Sequence, residues 1–505
     1  MKVGRKKQSV INITMSLLSQ IVTVLIGMLL PRALMVNYGS ETNGLITSMQ
    51  QVINYLTLIE GGLLSTVAVA LYKPLAREDV EQVNQILAAA KYFYRKTGIV
   101  FLLALVAMAV VYPCVIARTG FSYIQIGYMV LLIGINGATQ ILFIGKYKAL
   151  LMASQKNGII LSINAISTVI YSVLLILAAF LHIDVVLGLT IAVSAYIIRA
   201  LMFYWVAKHK FPQYVFSDNR GDISFPQRID ALASQVLTMI SLNGGTLILS
   251  FFKAPMTEIS VYTTYNLVLS GLYMLMYSVE NSMTSAFGDL LARETQDRIR
   301  GIYEKFDSIY HALWAVVIAC LMVLLLPFIK VYTVGVTDIN YILPFEALLF
   351  TAIAAIWMLR NQQTLLMTAQ GRFKDMCKSM MIESAIVVVD GAFAYVVCGL
   401  KGMLIAKLAG TIFMYIRLMV YNYTNILGTS VNKKIRNIIL SLVEICCIGF
   451  ITHYIPIDGS KSLINWLFEA CCVAVVSITI VLLLSFVFRK DDFSVILKKT
   501  RRRIG

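Results

Sequence analysis

The chain alternates long apolar runs with short polar breaks. A helix needs about 20 apolar residues to cross the hydrocarbon core of a bilayer. By that length the sequence divides into about fourteen spans: 10–31, 44–71, 98–117, 125–147, 158–181, 186–207, 231–252, 259–288, 307–330, 344–369, 379–398, 402–423, 437–455 and 464–488. The longest break, 208–230, reads "KHKFPQYVFSDNRGDISFPQRID" and holds two prolines and a charged turn, the marks of a linker. Segment 79–96 sets Val80, Val83, Leu87, Ala90 and Tyr94 on one helical stripe. It is either a helix lying on the inner membrane surface or an extension of its neighbouring spans. The N-terminus, "MKVGRKKQSV", is basic and runs into an apolar segment with no small-residue cleavage site after it, so an uncleaved first span is expected.

Composition agrees with this pattern. Apolar residues make up 59% of the 505 positions and charged residues 14%, against about 25% charged in soluble domains. The expected class is an all-α integral membrane protein. A net charge of +17 would suggest nucleic acid in a soluble chain. Here its distribution decides otherwise. With the N-terminus inside, 33 of the 43 Lys and Arg residues fall on the cytoplasmic side, six on the other and four within spans. Such asymmetry follows the positive-inside rule. Dropping one span would invert everything after it and destroy the bias. An even number of spans places both termini in the cytoplasm.

The loops are too short for a catalytic domain, and no GxxxxGK[ST] motif is present. The eight cysteines form no CxxC, and the four histidines no HExxH. The expectation is a protein that is not an enzyme, with no catalytic residues, no metal and no cofactor.

The sequence repeats internally. "SQIVT" (Ser19–Thr23) recurs as "SQVLT" (Ser234–Thr238), and "LLMASQ" (Leu150–Gln155) as "LLMTAQ" (Leu365–Gln370), both offset by 215. "LARE" recurs at 216, Pro113 and Pro327 differ by 214, and "YIIRALM" resembles "YIRLM", which makes Arg199 and Arg417 mates. This offset spans six helices, an even number, so the halves share one orientation and a parallel repeat relates them. Two six-helix lobes are expected, 1–207 and 231–423, with 208–230 as linker and 424–505 adding two spans and a basic tail.

Charges inside the spans are the candidate chemistry. A carboxylate at the centre of a bilayer costs roughly 2.5–3.5 kcal/mol on insertion scales. Glu60 sits in the second span before Gly61-Gly62, and Glu280 in the eighth before Asn281-Ser282. Acids at matched depth in matched helices suggest a shared polar cavity; the alternative is a structural ion pair or a snorkelling side chain. Arg360, in "MLRNQQTLL", is the first candidate for a phosphate contact, since guanidinium grips phosphate bidentately. Its alternative is an ion pair with an acid such as Asp390. Glu383 and Asp390 either pair with cations or take part in proton coupling. Arg32 is a phosphate contact or an anchor at the outer face. Lys146, Arg199 and Arg417 are inner-face cations that line the cavity or reach the headgroups. Lys407 reads as an outer-face snorkeller, and Asn243 either binds sugar hydroxyls or packs.

"NYGSETNGLITSMQQVINYLTLIEGG", "LYKPLAREDVEQVNQIL" and "AAKYFYRK", with "YTTYNLVLSGLYMLMYSVENSMTSAFGDLLARE", resemble the polysaccharide repeat-unit flippases of the multidrug, oligosaccharidyl-lipid and polysaccharide exporter superfamily. The likeness covers most of 8–425 and is most specific over Tyr38–Leu87. It implies a V-shaped pair of six-helix lobes in the bacterial cytoplasmic membrane. It also implies alternating access for a polyprenyl-pyrophosphate-linked oligosaccharide, and a cavity lined by the first, second, seventh and eighth spans. Arg32, Glu60, Asn243 and Glu280 fall there. Where many relatives carry an acid in the seventh span, this chain has Gly244-Gly245. Membrane lipids, a polysaccharide polymerase and glycosyltransferases are the expected partners, with no nucleic acid; coupling to an H+ or Na+ gradient is a separate expectation, with the intramembrane acids Glu60, Glu383 and Asp390 as its candidates. The rival readings are a cation-coupled multidrug exporter and a flippase for the lipid-linked peptidoglycan precursor.

Overall fold

A computed structural model describes residues 2–154, 156–214, 228–452, 454 and 462–489. These residues form fourteen helices in chain order. They are α1 (Lys2–Tyr38), α2 (Ser40–Ala76), α3 (Val80–Val115), α4 (Tyr123–Ala153), α5 (Asn157–Phe180), α6 (Val185–Lys210), α7 (Arg228–Phe251), α8 (Met256–Arg293), α9 (Gln296–Tyr332), α10 (Pro344–Ala369), α11 (373–398), α12 (400–421), α13 (Asn432–Thr452) and α14 (Leu463–Phe488). Each predicted span coincides with one of them, and the protein is an all-α membrane protein. Among the described residues, nine helical stretches are long and apolar enough to cross a membrane, with α11 and α12 counted as one. α10 falls short of that measure because Glu346 and the run Arg360-Asn361-Gln362-Gln363 interrupt its apolar sequence.

Turn chemistry sets where helices end. Gly39, at φ 87°, lets α1 give way to α2 across one residue. Gly399, at φ 61°, divides α11 from α12 without an intervening loop. Asp79 caps α3 by accepting from the Gln82 amide at 2.9 Å, and Ser122 with Gln125 forms a capping box at the start of α4. α2, α3, α8 and α9 run 36 to 38 residues, about 55 Å at 1.5 Å per residue, which exceeds the hydrocarbon thickness. Segment 79–96 is the N-terminal part of the continuous α3. Val83, Leu87, Ala90 and Tyr94 of its stripe are buried in the protein, so it extends the span and does not float on a membrane surface.

The chain packs as two compact units, Met1–Thr263 and Thr264–Gly505. In the first, α1 packs on α5, α2 on α3 and α7, and α3 on α4. α7 and the first turns of α8 belong to this unit: Asn43 Nδ2 donates to Ser260 Oγ at 2.7 Å, and Gly44 permits a backbone approach to Met256 that a side chain would block. In the second, α10 packs on α12, and α9 on α13 and α14. Most of the expected linker, 215–227, lies outside the described residues, as does the basic tail from 490 onward.

Candidate functional site

The first unit buries Glu60, which is 2% exposed, among residues from four helices. The Gln140 side-chain amide donates to Glu60 Oε2. Gln140 opens a π-helical turn, Gln140–Ile144, inside α4. A π turn widens the helix by one residue and re-aims the side chains around it. Tyr94 of α3 and Arg199 of α6 both lie within electrostatic reach of Glu60. Arg199 is buried and donates from Nη2 to the Asn136 carbonyl at 3.1 Å and to Thr139 Oγ1 at 3.3 Å. Gly145 makes room for this arrangement: a Cβ there would stand 2.3 Å from the Tyr94 ring. Among the described residues, Glu60 Oε1, the Tyr94 hydroxyl and Arg199 Nε are buried without a hydrogen-bond partner. Buried polar atoms of this kind cost free energy unless something satisfies them. The cluster therefore has spare capacity for a proton, water or a ligand group.

The second unit repeats the theme with different residues. Glu280 of α8 is 3% exposed. The Tyr310 hydroxyl of α9 donates to Glu280 Oε1 at 2.7 Å and to the Met358 carbonyl at 2.8 Å. The Asn361 amide of α10 donates to Glu280 Oε2. Arg360 lies within electrostatic reach of Glu280 and pairs directly with Glu383 of α11, Nη1 to Oε1 at 2.8 Å. Counted from the start of each sequence repeat, an acid on the second helix (α2, α8) thus meets a tyrosine on the third (α3, α9) and an amide on the fourth (α4, α10). The arginine differs in origin. It comes from the sixth helix of the first repeat, α6, and from the fourth of the second, α10. Arg199 and Arg417, mates by sequence, consequently have different surroundings. Arg199 is buried in the cluster, whereas Arg417 is exposed and donates from Nε to Ser379 Oγ at 2.7 Å.

Glu383 therefore holds Arg360, while Asp390, at the end of a second π turn, is exposed. Arg32, Lys146 and Asn243 are half-buried, and Lys407 is buried. Asn281 and Ser282 belong to α8, but their side chains lie outside what is described.

Sequence reasoning missed a further buried network. Asp307 of α9 accepts from Lys434 Nζ at 2.5 Å, Gln362 Nε2 at 2.8 Å and Asn437 Nδ2 at 2.9 Å. Arg489, just past α14, pairs with Glu444 of α13 at 3.0 Å and donates to Ser441 Oγ at 2.9 Å. All four charges are buried. Lys434 and Arg489 count as topology signals by position, yet both are spent inside the protein: Lys434 fixes α13 against α9 and α10, and Arg489 fixes the end of α14 against α13.

No family model matches the chain, and no curated protein is similar to it in sequence. Solved structures are similar in fold. "Lipid II flippase MurJ, inward closed conformation" superposes with a TM-score of 0.61 at 15% identity, covering 94% of this chain and 99% of that one. An inward-facing multidrug resistance MATE family transporter of the MOP superfamily gives 0.62 at 12% identity, covering 83% and 98%. A MOP superfamily transporter from Pyrococcus furiosus, titled for the reversed polarity of its binding pocket, gives 0.55 at 14%, covering 84% and 97%. The chain has the fold of the flippases and exporters of this superfamily, as the sequence resemblance implied. It is a multi-pass membrane protein of transporter architecture.

Proposed function

We propose that the protein is a flippase. Its cargo is a lipid-pyrophosphate-linked oligosaccharide, carried from the inner to the outer leaflet by alternating access for cell-surface polysaccharide synthesis. The observation that carries this reading is the meeting of arginine and carboxylate deep within each unit: Arg199 beside Glu60, and Arg360 beside Glu280 and Glu383. A buried guanidinium cannot shed its charge, so it needs an anionic partner at every stage. A pyrophosphate can take the place of the carboxylate on the planar fork, bidentately. The displaced acid then binds a proton instead of standing as a bare charge in a dry site. Cargo anion and proton exchange on the same cluster, which couples transport to a proton gradient through Glu60 and Glu280. Arg32 and Asn243 extend the polar path toward headgroup and sugar.

A cationic drug would want acids without neighbouring arginines, which disfavours the multidrug reading. The lipid-linked peptidoglycan precursor remains the second reading, favoured by one observation: the lipid II flippase covers 94% of this chain, against 83% for the multidrug transporter. The deciding experiment reconstitutes the full chain in vesicles with fluorescent polyprenyl-pyrophosphate oligosaccharide or with lipid II and follows quenching of outer-leaflet label. Faster translocation of the oligosaccharide supports the proposal. Transport of lipid II alone, or of ethidium-type cations alone, overturns it.

A further inference from the structure

A cavity of about 220 Å³ opens in the second unit between α11 and α12, with Met367 of α10 at its edge. It shares no residue with the Glu280 cluster. Two opposite charges line it, Arg417 and Asp375. They do not pair with each other. Arg417 Nε is anchored on Ser379 Oγ at 2.7 Å, and the Tyr421 hydroxyl donates to Asp375 Oδ2 at 3.2 Å. Each charged group is thus held along one edge. The Nη edge of the guanidinium and Oδ1 of the carboxylate are left for something else.

A soluble anion would be repelled by Asp375, and a simple cation by Arg417. A ligand carrying both charges a few bonds apart satisfies both. Outside the cavity, Met381 and Ile382 of α11 and Ile416 of α12 are exposed apolar side chains, and Val420 of α12 is exposed at its rim. On a membrane protein such a face meets acyl chains. Val420 belongs to both the apolar face and the cavity lining, so the two are continuous.

We propose that this cavity seats the headgroup of a zwitterionic phospholipid with a primary ammonium, the phosphate on Arg417 and the ammonium on Asp375. An ammonium carries three N–H donors for the carboxylate. A quaternary ammonium offers none and is bulkier. The duplicated position does not repeat the site, because Arg199 is buried and bonded within its own unit. The site is therefore a property of the second unit.

The test is native mass spectrometry of the full-length protein in detergent. It is offered equimolar phosphatidylethanolamine and phosphatidylglycerol with matched chains, then free phosphoethanolamine as competitor. Wild type is expected to retain the ethanolamine lipid at least about tenfold better, the worth of one hydrogen bond to a charged group. Arg417→Gln should lose that retention. Asp375→Asn should lose the preference and gain phosphatidylglycerol, a gain that misfolding cannot produce. Equal retention of the two lipids by wild type overturns the proposal, as does unchanged preference in Asp375→Asn. Phosphoethanolamine binding as tightly as the whole lipid overturns it in favour of a soluble phosphate ester.

Discussion

Arg360 Nη1 stands 2.8 Å from Glu383 Oε1, and the pair is almost wholly buried between α10 and α11. Removing one partner of such a pair leaves an uncompensated charge and costs about 3–5 kcal/mol, while replacing both by apolar residues is often neutral. Arg360→Met should therefore lower thermal stability in detergent markedly, and Arg360→Met with Glu383→Leu should restore it. Translocation should fail in both. A double variant that is stable and transports normally would show the pair to be scaffolding and remove Arg360 from the site.

Glu60 poses the complementary case. Gln140 donates to one of its oxygens, and the other has no partner among the described residues. Glu60→Gln keeps the shape and can still accept from Gln140 through its amide oxygen, but it cannot ionise. Export of the proposed oligosaccharide cargo should be abolished with the protein still folded in the membrane, as judged by monodisperse elution and an unchanged melting temperature. Normal export by this variant would refute the role given to Glu60.

Tyr310 donates to both Glu280 and the Met358 carbonyl. Tyr310→Phe leaves these acceptors buried with one donor fewer, a loss of about 1–3 kcal/mol. Asn361 continues to hold the other oxygen of Glu280. The expected outcome is a moderate fall in melting temperature with slowed, not abolished, translocation. Complete loss of translocation at full stability would instead make Tyr310 a direct participant in proton exchange.

The helices were legible in the sequence because a membrane span is a local, additive signal: twenty apolar residues and a break. Even the division of α11 from α12 shows in "CGLKGM", where Gly399 takes the positive φ. Glu60, Glu280 and Arg360 stood out for the same reason, since a charge in an apolar run is conspicuous. Their partners did not. Gln140, Asn361, Tyr94 and Tyr310 are neutral polar residues of a kind common in such helices, and only the packing of one helix on another selects them. Lys434 and Arg489 were misleading in the opposite sense. Their positions near span ends fit the positive-inside count, and nothing local reveals that Asp307 and Glu444 draw them inward.

That inward pairing makes the last prediction. Asp307 has three donors, of which Lys434 carries the compensating charge. Lys434→Met alone strands the carboxylate among Gln362, Asn437 and the buried His311, whose Nε2 is 4.0 Å away. The cost should again be about 3–5 kcal/mol, and it should appear first where Lys434 resides. Hydrogen exchange should rise in α13 and α14 while α1 to α6 stay protected. Adding Asp307→Leu removes the stranded charge and should return protection to both helices. Uniform loss of protection along the chain, or no loss, would mean that α13 and α14 are held chiefly by their apolar contacts with α9. In that event the buried ion pairs would fix only register. A double variant that stays stable yet transports poorly would then separate the docking of these helices from the chemistry at Glu280.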